Sequence, residues 1–79
     1  MQTQRNKIHI LVTGIGGPAG INAVRLLHNE TDVAVIGCDV DQTSSGQFFV
    51  DTFLICPRAD EPEEYEKWIR ETVEKCNID

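Results

Sequence analysis

Ile8-His9-Ile10-Leu11-Val12 runs directly into Thr13-Gly14-Ile15-Gly16-Gly17-Pro18-Ala19-Gly20, and the reading of this junction decides the fold. The first five residues are nearly continuous in apolar character rather than alternating, as expected of a strand buried on both faces in a parallel sheet. Four glycines in seven positions follow, at 14, 16, 17 and 20. Without Cβ atoms the backbone there turns sharply and admits the close approach of another group. Pro18 suits a first helical turn, where its missing N–H costs little. A helix from about Pro18 to Asn29 puts Ile21, Val24 and Leu27 on one face, with Ala23 and Leu26 beside them.

The polar turn Asn29-Glu30-Thr31-Asp32 releases a second buried strand, Val33 to Cys38, ended by Asp39. Together these segments make a βαβ unit, whose crossover is expected to be right-handed. Val40 to Val50 reads as a loop around Thr43-Ser44-Ser45-Gly46, with one short helical turn at Gln47 to Phe49 and with Phe48 and Phe49 capping the core. A third strand, Thr52 to Cys56, stops at Pro57, which cannot donate a ladder hydrogen bond. Asp60-Glu61-Pro62-Glu63 reads as a capping box opening the last helix. In that helix Tyr65, Trp68, Ile69, Val73 and Cys76 form an apolar stripe, and Lys67, Arg70 and Lys75 lie toward the negative end of the dipole.

The expected architecture is therefore α/β: a Rossmann-like, three-layer fragment with a three-stranded parallel sheet in the order 3-2-1. In the doubly wound order 3-2-1-4 the last helix returns the chain to a fourth strand beside the first. Here that strand is missing. Residues 1–79 thus read as a single truncated domain whose first strand lies at an open edge, and folded proteins avoid leaving such edges bare. The neighbour expected on that edge is either the rest of a longer protein or a second copy of the chain.

Composition bounds the function. Seven basic against thirteen acidic residues give a net charge of −6, which gives nucleic-acid binding no electrostatic support. The acids Asp60, Glu61, Glu63, Glu64 and Glu66 crowd a helix start, where carboxylates offset the partial positive charge of exposed N–H groups, so they are read as a solvated terminus rather than a metal site. No apolar run approaches the ~18 residues of a membrane span. Met1 to Lys7 is polar and lacks the apolar stretch of a signal peptide, which makes the cytoplasm the default compartment. Cys38, Cys56 and Cys76 are odd in number and far apart, fitting neither a disulfide framework nor a paired zinc-ligand pattern, and are read as small apolar residues. His9 lies near the amino end of its strand, away from where open parallel sheets place their sites, and His28 suits a helix C-terminus.

The glycine loop admits several readings. Thr13 to Gly20 fits T-G-x-x-G-x-x-G, and Asp39 lies nineteen positions beyond Gly20, where an acid can bond the ribose hydroxyls of a nicotinamide dinucleotide. That reading makes the chain an NAD(P)-binding module of the short-chain dehydrogenase type, although the Tyr-x-x-x-Lys pair of those enzymes is not present. A second reading gives the glycines only a tight turn and close packing, with Asp39 capping a turn through the Asp41 or Gln42 N–H. A third, non-enzymatic one is a self-associating module whose open edge is its interface.

A resemblance covers almost the whole chain. Ile10 through Gly20, Val35-Ile36-Gly37-Cys38-Asp39, Asp51-Thr52-Phe53 and Pro57 through Tyr65 resemble the N-terminal domain that precedes the ATP-grasp fold in carbamoyl-phosphate-synthase-like proteins. The resemblance implies one part of a larger ligase that uses ATP to activate a carboxylate as an acyl phosphate. ATP and magnesium would be bound by domains outside this chain, and no cofactor is expected on it. By the family's pattern this domain shapes the substrate side of the cleft. Gly14, Gly16 and Gly17, with Asp39, are the candidate contacts for an anionic substrate group or phosphate. No catalytic residue and no metal ligand carries over.

Overall fold

A computed structural model of the chain describes residues 7–79. Most of the polar N-terminal lead, residues 1–6, lies outside them. The element order is β1 (Ile8–Thr13), α1 (Pro18–Leu27), β2 (Val33–Asp39), a 3₁₀ turn (Ser45–Phe49), β3 (Thr52–Ile55) and α2 (Pro62–Lys75). The three strands form one parallel sheet in the order β1-β2-β3, as the sequence predicts, with Ile10 beside Val35 and Gly37 beside Phe53. No helix among the described residues is long and apolar enough to cross a membrane.

The register sorts side chains onto two faces, because successive residues of a strand point to opposite sides. Val12, Val35 and Phe53 share the face under α1 and pack with Ile15, Val24, Leu27, Val33, Phe49 and Val50 into the core. Ile15, Val24 and Val35 are its fully buried centre, and burying an aliphatic side chain of this size is worth about 1.5–3 kcal/mol. His9, Leu11, Ile36, Cys38 and Leu54 take the other face. The His9 ring donates from Nδ1 to the Cys76 carbonyl at 3.0 Å, which puts the end of α2 on that second face. Thr72 of α2 is buried along with Ile36, Cys38 and Cys56. The sheet therefore lies between two helices.

Several expectations are corrected. Leu26 is 75% exposed and Phe48 78% exposed, so neither joins the core. Leu26 falls outside the arc of Ile21, Val24 and Leu27, and the 3₁₀ turn aims only Phe49 inward. Val73, expected in the α2 stripe, is also exposed, while Tyr65, Trp68 and Ile69 are half-buried. The capping box does not form. α2 begins after Glu61 with no side-chain cap, and the Asp60 carboxylate instead faces the Arg58 guanidinium at 3.4 Å. Pro62 in the first turn, with Glu63 and Glu64, supplies the start signal by fixing φ and complementing the dipole.

Candidate functional site

The glycine loop leaves the carboxyl end of β1, where open parallel sheets place their ligands. Its anchor is Ile15, which is fully buried although it sits in a loop. Two glycines elsewhere make room for it. A Cβ on Gly46 would overlap the Ile15 carbonyl oxygen, and one on Gly37 would come within 3.0 Å of the Ile15 side chain and 2.7 Å of Val50. Gly20 packs just as closely over the Gly14 carbonyl, which brings α1 down onto the loop. Gly14 itself has φ +65°, in the left-handed region that favours glycine, with open space around it.

The backbone amides of the loop are turned inward. Ile15 N–H donates to the Cys38 carbonyl at 3.2 Å, and Gly17 N–H to the Gly14 carbonyl at 3.1 Å. Gly16 N–H donates to Asp39 Oδ2 at 2.6 Å. The same carboxylate oxygen accepts the Ser44 hydroxyl at 3.1 Å, while Oδ1 accepts Val40 N–H at 2.7 Å. The structure thus brings all four sequence-designated residues into one loop cluster, with Gly16 and Asp39 in direct contact and Gly14 and Gly17 closing the turn beside them. Asp39 does not bond the Asp41 or Gln42 N–H. Asp41 instead makes its own turn, accepting Thr43 N–H at 2.8 Å and the Thr43 hydroxyl at 2.7 Å, and these bonds hold its carboxyl below the usual range.

Ser44 is the member of this cluster that sequence reasoning missed. It is buried and is fixed further by its N–H donating to the Asp41 carbonyl at 3.1 Å and by the Ser44 carbonyl accepting the Gln47 side-chain amide at 2.9 Å. Nothing in Thr43-Ser44-Ser45-Gly46 distinguishes Ser44 from Ser45 until the loop is folded.

Beneath the loop lies Cys38, whose thiol is pushed up to about 12, first by burial and then by the hydrogen bond its S–H donates to the neighbouring Cys56. Both cysteines are buried free thiols. A thiol held protonated in this way is a packing group, since the thiolate is the reactive species. Among the described residues no group of three or more His, Cys, Asp or Glu side chains is placed to hold a metal ion. A hollow of about 260 Å³ between Leu27, His28, Val33 and Phe49 lies at the amino ends of the strands, away from the loop. The His28 and Phe49 rings meet edge-on there, 5.8 Å apart.

Chemically, the cluster is a finished hydrogen-bonded turn. The carboxylate of Asp39 occupies the place on the Gly16 amide that a phosphate oxygen takes in an anion-binding loop. No family model, curated protein or solved structure matches the chain.

Proposed function

We propose that this chain is the N-terminal, substrate-side domain of an ATP-grasp ligase of the carbamoyl-phosphate-synthase type, and that it turns over no substrate by itself. The motif runs around the glycine loop, β2 and the start of α2 support this reading. So does the architecture of a small parallel sheet with a built loop at its carboxyl ends. In such a ligase ATP and magnesium belong to other domains, and this one contributes a wall of the cleft. Gly14, Gly16, Gly17 and Asp39 would form that wall.

The observation that carries the choice is the contact of Asp39 with Gly16 at 2.6 Å. A dinucleotide site needs loop amides free for the pyrophosphate and the acid at the end of β2 free for the ribose. In this chain each of the two groups satisfies the other, and the carboxylate adds a negative charge where the pyrophosphate would lie. This weighs against the NAD(P)-binding alternative and suits a loop that shapes a surface.

Calorimetric titration of the chain with NAD tests the choice. No saturable binding at micromolar ligand is expected, and micromolar affinity would reverse it. Reading the gene past the Asp79 codon tests the ligase itself. An apolar strand leading into an ATP-grasp region supports the reading, and a helix carrying Tyr-x-x-x-Lys contradicts it.

A further inference from the structure

Trp68, the single tryptophan of the chain, is half-buried and lines a small hollow with Pro57, Glu64, Lys67 and Glu71. The four α2 residues share one face because they stand three and four positions apart along the helix. Pro57, in the connection after β3, supplies the remaining wall. The hollow measures about 160 Å³. Pockets that enclose a whole drug-sized ligand run to roughly 300–1,000 Å³, so this one suits a single headgroup. None of its residues belongs to the glycine-loop cluster.

The lining sets the chemistry. An indole face carries negative potential and is the best aromatic surface for a cation. Glu64 and Glu71 stand four positions before Trp68 and three after it, and both are exposed. The ion pair of this helix lies elsewhere, between Arg70 and Glu66 at 2.6 Å, and among the described residues neither Glu64 nor Glu71 is ion-paired. Lys67 against two carboxylates leaves the hollow one negative charge in excess, in a chain of net charge −6. An anionic ligand is therefore disfavoured. A metal ion is disfavoured too, because no three ligating side chains converge there among the described residues. The remaining class is an organic cation.

We propose that this hollow binds a quaternary ammonium headgroup, its methyl groups against the Trp68 indole and Pro57 and its charge balanced by Glu64 and Glu71. A primary ammonium is compact, strongly hydrated and calls for hydrogen-bond acceptors, whereas a quaternary one presents methyl groups that an aromatic ring and a proline take up directly. Lys67 already brings a primary ammonium to the hollow and forms no ion pair with either carboxylate. Nothing in this site depends on the chain being part of a ligase.

The fluorescence of Trp68 reports on the hollow directly, since no other tryptophan is present. The 79-residue chain is titrated with choline at constant ionic strength, against sodium chloride and against dimethylbutanol, the uncharged isostere of choline. Choline is expected to change the emission saturably with half-saturation at roughly 1–10 mM, as suits one headgroup in an open hollow, and neither control saturates. Combining Glu64→Gln with Glu71→Gln raises the choline half-saturation about fivefold or more, and Lys67→Gln lowers it. All three side chains are exposed, so these variants keep the fold, which circular dichroism checks. No saturation by choline, equal responses to choline and its isostere, or a half-saturation indifferent to the loss of both carboxylates would overturn the proposal.

Discussion

Asp39 and Gly16 lie 23 positions apart, and their carboxylate-to-amide bond of 2.6 Å ties the turn after β1 to the end of β2. Three donors converge on this one carboxylate: Gly16 N–H, Val40 N–H and the Ser44 hydroxyl. Asp39→Ala leaves all three without their acceptor, and an expected loss of about 1–2 kcal/mol is read from the urea midpoint, the partial solvation of the site keeping it modest. Asp39→Asn keeps one carbonyl oxygen for Gly16 and is expected to lose less than the alanine variant.

The loop glycines separate into classes that a stability series can resolve. Gly46→Ala and Gly20→Ala drive a Cβ into backbone carbonyl groups, which cannot swing aside as a side chain can, and each is expected to cost more than about 2 kcal/mol. Gly14→Ala meets no atom within 4 Å but must hold φ +65°, for an expected cost of about 1–2 kcal/mol. At Gly17 the nearest atom to a new Cβ is 3.7 Å away, so Gly17→Ala is expected to change stability least.

Ile15→Ala empties the centre of the core and is expected to destabilise by about 2–5 kcal/mol in the same denaturation assay. Leu26→Lys and Phe48→Lys alter side chains that stand in solvent and are expected to stay within about 0.5 kcal/mol of the parent.

The contrast among these residues marks how far the sequence could be read. Strand and helix order was legible because apolar runs, Pro18, Pro57 and Pro62 punctuate it, and Asp39 was legible because it follows a buried strand. Ile15 was not, since a single apolar residue among glycines carries no period, and only the folded loop shows it fitting the space left by Gly37 and Gly46. Leu26 and Phe48 mislead for the opposite reason: they are apolar beside apolar residues, and the geometry of one helical turn decides which neighbour points inward. The hydrogen bonds of Asp51 to Val35 and of Asp79 to His9 join residues 16 and 70 positions apart, which no local pattern encodes.

Cys38 makes stability fall in alkali. The unfolded chain loses this thiol proton around the ordinary value of 9.0, while the folded protein keeps it to about 12. Above pH 9.0 the unfolded state therefore binds fewer protons, and the contribution that is whole below that pH is lost progressively as pH rises toward 12. Urea midpoints measured from pH 7 to 10.5 are expected to decline more steeply for the parent than for Cys38→Ala. In alkylation at pH 8 the partly exposed Cys76 is expected to react first and the buried Cys38 last.

Among the described residues, β1 has a strand neighbour on one side only, β2. Hydrogen exchange of the 79-residue chain at dilute concentration tests it most directly. The Ile10 and Val12 amides, directed at β2, are expected to be protected, while those of Leu11 and Thr13 exchange at rates near those of exposed loop amides. Protection of Leu11 and Thr13 equal to that of Ile10 and Val12 would contradict the account.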